Sequence, residues 1–255
     1  MGPDFSLTSS PLVLCYHAVS ESWPSQLAVR PEGLHRQVRA LLRLGYRGTR
    51  FTDTLTSHAG ARVFAVTFDD SYASVFSKAF PMLAQLGVPA TVFMPTRAGR
   101  DGLRDWEGIR PWSATQWRDE LKGASWSQLR ELVAAGWEIG SHSRTHPDLT
   151  SISDTALRDE LEGSRQDCEA ELGIRCNSIA YPYGSVDHRV VEAARQAGYC
   201  AGAALAVRGG NRQPLCWPRL PVYRGDGPAR LWAKRQAFAH APRLLELNRR
   251  RALRT

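Results

Sequence analysis

Residues 62–70 read RVFAVTFDD, an apolar run rich in β-branched and aromatic side chains that ends in two aspartates. Such a run predicts a buried β-strand. Adjacent carboxylates at a strand end are costly to ionise unless a cation compensates them. Because side chains alternate along a strand, we expect Asp69 and Asp70 to point in different directions, so that one can bind a metal ion while the other stays free. The pair equally suits a turn, or a helix cap in which Asp70 caps a helix beginning at Ser71.

Similar short apolar runs alternate with helical patterns along the rest of the chain. Strands are predicted at 11–16, 62–68, 90–94, 137–140, 178–181 and 199–206, and helices at 31–44, 72–86, 125–135, 154–172 and 186–197. This alternation predicts an α/β fold in which helices flank a parallel sheet, as an open sheet or a barrel. In both arrangements the chemistry lies at the carboxyl ends of the strands.

The composition suits one large globular domain with an appendage. Of the 255 residues, 43% are hydrophobic and 23% are charged, which excludes a disordered chain. The net charge of +8 is uneven, because residues 230–254 contain eight Lys or Arg residues and one Glu. We therefore divide the chain into a globular domain at 1–225 and a basic C-terminal helix or tail at 226–255. Such a tail either binds phosphates or an anionic membrane, or is a solvated helix face. No nucleic-acid-binding motif accompanies it, so we expect no nucleic-acid partner.

The cysteines and the N-terminus bear on the cellular compartment. The five cysteines form no CxxC pair, and their odd number argues against a disulfide framework. The first ten residues lack the basic and apolar segments of a secretory signal. We therefore expect reduced thiols and a cytoplasmic protein, peripheral to a membrane if the basic tail binds one.

Two histidines follow the strand predicted at 137–140. His142 and His146 are four residues apart, a spacing that places two imidazoles on one face of a helical turn and suits two ligands of one zinc-like ion. Alone, such a pair is more often a surface or capping feature. With one carboxylate, it would form a three-ligand site with open positions, which is typical of a catalytic metal.

Other strand ends also carry candidate groups. His17 follows the first strand, where a lone histidine is usually structural. Pro182 and Gly184 bend a turn after the strand at 178–181, and such a turn can direct backbone N–H groups at a developing oxyanion. In a parallel sheet these ends would meet the aspartates and the histidine pair at one rim. The convergence predicts a metal-dependent hydrolase.

A long irregular segment at 96–124 carries Trp106, Trp112 and Trp117. Long loops at the catalytic face often shape substrate clefts. We expect these indoles either to stack on sugar rings or to pack as a lid against the body.

Between about Leu12 and Val222 the chain resembles the polysaccharide deacetylase family, also called the NodB-homology domain or carbohydrate esterase family 4. Residues 67–71 (TFDDS) resemble the family's first motif, TFDD followed by a small residue, and residues 141–146 (SHSRTH) resemble its second, H-[ST]-x-x-H. Residues 180–183 (AYPY) occupy the place of the third, R-x-P-Y. The resemblance implies a distorted (β/α)7 barrel that removes an N-acetyl group from an amino sugar in a polysaccharide, oligosaccharide or glycoconjugate.

The resemblance also implies roles for single residues. Asp69 would be the general base. Asp70, His142 and His146 would bind the metal, commonly Zn²⁺ or another divalent transition metal. The backbone N–H of Tyr183 would hold the oxyanion.

Two departures from the family pattern need substitutes. The arginine of the third motif is Ala180 here, and we expect Arg219 to supply its charge from the last strand. No late Leu-x-His motif provides a general acid, and His240 lies in an apparent terminal helix. The poly-N-acetylglucosamine deacetylases carry their acid on the first strand in a Tyr-His context, which implies that role for His17.

Two other functions stay open. One is a deformylase or deacetylase of a lipid-linked sugar, held at a membrane surface by the basic tail. The other is a degenerate family member that binds sugar without catalysis. The missing motif arginine and late histidine favour this second reading, whereas the retained aspartates and histidines oppose it.

Overall fold

The computed structural model of the protein describes residues 11–57, 61–97, 102–205 and 213–240, with side chains up to residue 236. Its strands are β1 (Leu12–Tyr16), β2 (Ala18–Val19), β3 (Ala28–Val29), β4 (Arg47–Thr49), β5 (Val63–Phe68), β6 (Ala90–Met94), β7 (Glu138–Ser141), β8 (Ser178–Ala180), β9 (Ala201–Ala204), β10 (Trp217–Pro218) and β11 (Leu220–Pro221). Its α-helices are α1 (Pro31–Arg43), α2 (Phe51–Leu55), α3 (Phe80–Gln85), α4 (Trp126–Ala134), α5 (Asp154–Leu172), α6 (His188–Gln196) and α7 (Pro228–His240).

The main sheet follows the order β10-β9-β8-β7-β6-β5-β1-β11, with parallel pairing throughout, and β4 adds to β5. The two strands at the ends of this path are parts of one stretch, 217–221. Trp217 pairs with Ala203 of β9, whereas Leu220 pairs with Leu14 of β1. This stretch therefore joins both ends of the sheet and nearly closes it into a barrel. The α/β class and the distorted barrel are confirmed, with β10 and β11 together forming the seventh strand, and an open sheet is excluded.

The helix expected at 72–86 is shorter and irregular. The helical residues begin at Ala73, widen into a π-helical turn at Val75–Ala79 and return to α-helix at Phe80. Pro81 has no N–H for an α-helical hydrogen bond to the preceding turn, which favours the irregular start. Before the helix, Tyr72 forms a β-bridge with Gly123, and the N–H of Ala73 donates to the carbonyl of Lys122 at 2.7 Å.

The helices that flank the barrel begin and end as their sequences predict. Ser125 and Gln128 form the expected capping box at α4. Ser153 caps α5, which ends at Gly173 in the left-handed region (φ 66°). The strands and helices enclose a core that includes the entirely buried β1 and β5. This packing holds the carboxyl ends of the strands in place.

The last helix, α7, packs on the barrel. Leu231 is buried in the main hydrophobic cluster, and Lys234 pairs with Asp226 and donates to the carbonyl of Pro221. The division of the chain at residue 225 stays a prediction, and most of the basic tail, at 241–255, lies outside the described residues.

None of the helices in the described ranges combines the length and the apolar character that crossing a membrane requires.

Candidate active site

The predicted residues meet at the carboxyl ends of the strands, around one cavity of about 340 Å³. The cavity is lined by groups that follow β1, β5, β7 and β8, namely His17, Asp69, Asp70, His142, His146 and Tyr183. Arg219, between β10 and β11, is fully buried and contacts the site through Asp69. The barrel therefore brings together all seven residues that the sequence singled out.

Asp70, His142 and His146 form a compact set of donor atoms. Asp70 Oδ1 lies 3.5 Å from His142 Nε2 and 3.3 Å from His146 Nε2, and all three side chains are buried. Tetrahedral ligands about 2.1 Å from a zinc ion stand about 3.4 Å apart. One carboxylate oxygen and two imidazole nitrogens at this spacing fit a divalent transition metal.

The histidine pair lies in a loop, so the helical turn expected from its spacing is wrong. Ser143 and His146 have left-handed backbone angles (φ 64° and 63°), which an α-helical turn excludes. Local hydrogen bonds hold the loop instead: Ser141 Oγ accepts from the N–H of Ser143 at 3.0 Å, and Ser143 Oγ accepts from the N–H of His146 at 3.1 Å. Between the histidines, the N–H groups of Arg144 and Thr145 both donate to Glu160 Oε2.

The two aspartates point in different directions as expected, but strand alternation is not the reason, because β5 ends at Phe68 and Asp70 lies in a left-handed turn. Asp70 faces the histidines, whereas Asp69 faces Arg219. Asp70 and Ser71 both adopt left-handed angles (φ 67° and 50°), a region that residues other than glycine seldom occupy. The alternative of Asp70 as the cap of a helix beginning at Ser71 is therefore wrong, because Ser71 is left-handed and the helical residues begin only at Ala73.

The orientation of His142 follows from one hydrogen bond. Its Nδ1 lies 2.7 Å from the carbonyl oxygen of Ala180. A carbonyl can only accept, so Nδ1 carries the proton and Nε2 is left to face Asp70. Burial opposes the charged imidazolium, but the nearby Asp69 and Asp70 carboxylates outweigh it and raise the pKa of His142.

His146 is held by ring contacts. Trp106 stacks on its imidazole with a centroid distance of 4.0 Å and an interplanar angle of 16°. Tyr183 meets it edge-on at 4.7 Å. Burial lowers the pKa of His146, which favours the neutral ring that a metal requires.

Asp69 is bound by a bidentate ion pair. Arg219 Nη1 lies 2.6 Å from Asp69 Oδ1, and Arg219 Nη2 lies 2.8 Å from Oδ2. Burial opposes the charged carboxylate, but the guanidinium outweighs it and lowers the pKa of Asp69 to about 2. Asp69 is therefore ionised at neutral pH, and the buried positive charge that Ala180 cannot supply comes from Arg219.

His17 is half-buried and lines the cavity. One of its ring nitrogens lies within 4.8 Å of a carboxylate oxygen of Asp69 and of Cys15 Sγ. Its Nδ1 is buried and has no hydrogen-bond partner within the described residues.

The tryptophans of the irregular segment line the cavity or pack on the core, and their stacking on sugar rings stays a prediction. Trp106 and Trp112 line the cavity, and Trp112 also contacts Trp23 edge-on at 5.8 Å. Trp117 packs against the core as part of a lid.

Cys15 and Arg104 are among the residues at the site that sequence reasoning missed. Cys15 Sγ lies 3.4 Å from Asp69 Oδ2. The buried side chain of Arg104 donates to the carbonyl of Asp70 at 2.7 Å. Cys15 lies in β1 two residues before His17, and this position was a signal for it. Arg104 lies in an irregular loop and offered no such signal.

Comparisons with known proteins find relatives among the deacetylases. A chitooligosaccharide deacetylase of Sinorhizobium fredii is 32% identical over 133 residues, which are 52% of this chain and 47% of that protein. A Bacillus subtilis protein whose name places it among the polysaccharide deacetylases is 22% identical over 207 residues, 78% of this chain and 66% of that protein. The chain thus spans less than two thirds of the length of either relative.

Solved structures share the fold. The Streptococcus pyogenes deacetylase PplD, solved in complex with acetate, superimposes with a TM-score of 0.70 at 22% identity, over 88% of this chain and 96% of that one. IcaB from Ammonifex degensii superimposes with a TM-score of 0.69 at 23% identity, over 90% and 98% of the two chains. At this level of identity the likeness concerns the barrel.

The model of one protein family, described as polysaccharide deacetylase, matches residues 56–202, more than half of the chain. This range contains Asp69, Asp70, His142, His146 and Tyr183. The chain belongs to the polysaccharide deacetylase family.

Proposed function

We propose that this protein is a metal-dependent hydrolase that removes the N-acetyl group from an amino sugar and releases acetate. The observation that carries the proposal is that two carboxylates, adjacent in the chain, have different partners. Asp70 lies 3.3–3.5 Å from two imidazole nitrogens, while Asp69, next to it in the chain, is held by Arg219 and is left out of the donor set. A free carboxylate beside a metal site is placed to act as a general base.

The metal would be held by Asp70, His142 and His146. The two-imidazole, one-carboxylate donor set is the kind that zinc uses in catalytic sites. When bound, such an ion acts as a Lewis acid that activates water and polarises a carbonyl group.

Each remaining residue then has one task. Asp69 takes a proton from the water as its oxygen attacks the acetyl carbonyl carbon. The backbone N–H of Tyr183, in the turn after β8, donates to the oxyanion that forms. His17 gives a proton to the sugar nitrogen as the C–N bond breaks, and acetate and a free amine result. Arg219 holds the carboxylate of Asp69 in its ionised form.

The substrate class follows from the cavity and the relatives. Trp106, Trp112 and Tyr223 line the cavity, and aromatic faces suit the apolar faces of sugar rings. A related protein of Sinorhizobium fredii is a chitooligosaccharide deacetylase. An N-acetylated oligosaccharide or glycoconjugate is therefore the proposed substrate.

Acetate release from chitooligosaccharides, with Zn²⁺ present, tests this function. We expect release by the wild-type protein and none by the Asp69→Asn variant under the same conditions. Formate should be assayed in parallel on an N-formylated amino sugar. Formate without acetate would replace the deacetylase by a deformylase, and tight sugar binding without either product would identify a non-catalytic sugar-binding protein.

A further inference from the structure

The segment 102–124, here called the lid, is built directly on the turn that presents Asp70. The N–H of Ala124 donates to the carbonyl of Ser71 at 2.8 Å, and the N–H of Ala73 donates to the carbonyl of Lys122 at 2.7 Å. The end of the lid and the metal-site turn thus form one hydrogen-bonded unit.

The side chain of Arg104 connects the start of the lid to the same turn. Arg104 is only 3% exposed. Its Nε donates to the carbonyl of Asp70 at 2.7 Å, and its Nη2 donates to the carbonyl of Ser71 at 3.2 Å. Burial lowers the pKa of Arg104 to about 10, so the guanidinium is still charged at neutral pH.

These hydrogen bonds fall on the two strained residues of the turn. Asp70 and Ser71 have φ angles of 67° and 50°, and a non-glycine residue held in a sparsely populated region costs about 1–3 kcal/mol. Such a conformation persists only where its surroundings hold it. Charge-assisted hydrogen bonds from a guanidinium are strong enough to do so.

We propose that Arg104 is a positioning residue for the metal site: it holds the left-handed turn that directs the Asp70 carboxylate toward His142 and His146. This inference rests on the proposed function, because it assumes that these residues bind a metal. Two positions further along the lid, Trp106 stacks on His146. The lid therefore contacts two of the three ligands from outside the donor set.

Gly123 provides an independent way to disturb the same contact. A Cβ atom at this position would lie 2.4 Å from Arg104 Cζ and Nη2, closer than van der Waals contact allows. Gly123 has no left-handed φ angle that would itself penalise alanine. The Gly123→Ala substitution should therefore act by displacing the guanidinium.

The experiment measures Co²⁺ and Zn²⁺ binding to the purified full chain by calorimetry and, for Co²⁺, by absorption. The variants are Arg104→Met, Arg104→Lys and Gly123→Ala. The matched control is Arg118→Met, because Arg118 lies in the same lid but is exposed. Loss of a residue that orients a metal ligand weakens affinity or activity about 10–100-fold. We expect that loss for Arg104→Met and Gly123→Ala, a smaller one for Arg104→Lys, and none for Arg118→Met.

A second readout separates positioning from mere stability. Metal that binds only the folded protein raises the Tm by an amount set by its affinity. A purely structural role would lower the Tm of the apo and metal-loaded protein alike, whereas a positioning role shrinks the metal-induced rise in Tm. We expect this rise to shrink for Arg104→Lys and Gly123→Ala.

Either readout can overturn the inference. If Arg104→Met folds and binds metal as tightly as the wild type, the inference is wrong. If Arg104→Met does not fold, Arg104→Lys and Gly123→Ala decide it, and unchanged affinity in both rejects it. A wild-type protein that binds neither metal would instead reject the proposed function itself.

Discussion

Arg219 binds both carboxylate oxygens of Asp69, at 2.6 and 2.8 Å, across 150 positions of sequence. Both residues are buried: Arg219 is 0% exposed and Asp69 is 3% exposed. The arginine belongs to the stretch that joins both ends of the sheet. Closure of the barrel and the charge of the proposed base thus depend on the same short segment.

Replacement of this arginine should raise the pKa of Asp69. In Arg219→Met the burial of Asp69 is no longer outweighed by the guanidinium, so the pKa rises from about 2. Because Asp69 must be ionised to act as a base, kcat/KM should begin to fall at a higher pH than in the wild type. The full pH profile of acetate release measures this shift.

The same substitution should destabilise the fold by about 3–5 kcal/mol, since it leaves a buried charge unpaired. Urea denaturation at pH 7 measures the loss. The exposed pair of Arg195 and Glu192 gives a matched control, and Arg195→Met should leave the free energy of unfolding nearly unchanged. If kcat/KM falls in acid at the same pH in Arg219→Met as in the wild type, Asp69 is not the base.

Asp69→Asn should separate metal binding from turnover. The amide is nearly isosteric and Asp69 lies outside the donor set, so metal affinity should persist. The amide cannot accept the proton of water, and acetate release should fall by at least about 10²–10⁴-fold. Parallel measurement of bound Zn²⁺ and of acetate shows both effects. Loss of metal together with activity would place Asp69 among the ligands instead.

The two histidine classes should behave oppositely. His142→Ala removes a ligand and should abolish metal binding. His17→Ala should leave metal binding intact and slow release of the amine by about 10²–10⁴-fold, as expected for loss of a general acid. Metal content and single-turnover kinetics distinguish the two, and an unchanged rate in His17→Ala rejects its assignment as the acid.

Metal binding should weaken as the pH falls, and the decline should occur at a higher pH than for a histidine of ordinary pKa. The pKa of His142 is raised, since the nearby carboxylates outweigh its burial. A proton on Nε2 excludes the metal, so affinity declines as pH falls through that raised pKa. In Asp69→Asn one of the carboxylates is neutral, and metal should be retained to lower pH. Co²⁺ titrations between pH 5 and 8 test this. Metal binding that declines at the same pH in both proteins contradicts it.

Removal of the metal should abolish activity reversibly. Treatment with a chelator, followed by its removal, is expected to leave a folded protein that releases no acetate. Added Zn²⁺ should restore the rate. Full activity in the metal-free protein would reject the proposed mechanism.

Local sequence patterns were enough for the α/β class and for the residues at the strand ends, whereas the barrel was implied by the family resemblance. The apolar run before Asp69, the capping box at Ser125 and the alternation of strands and helices depend on neighbours a few positions apart. Parallel pairing then brings the strand ends to one edge whatever the details of the loops. For the same reason the convergence of His17, Asp69 and His142 could be predicted.

Contacts between distant segments could not be read from those patterns. The spacing of His142 and His146 indicated a helical turn, but the side chains of Ser141, Ser143 and Glu160 accept hydrogen bonds from backbone N–H groups and hold a loop with left-handed residues. The hydrogen bonds of Arg104 to the Asp70 turn carried no signal in the sequence, because they depend on how the lid folds back over the rim.

The sequence by itself determined the order of the strands along the chain, the chemical types at their ends and membership of a family. Only the tertiary structure decided which carboxylate faces the histidines and which faces Arg219. The physical reason is that local preferences act between neighbouring residues, whereas the direction and charge of a buried carboxylate are set by groups that only folding brings within hydrogen-bonding distance.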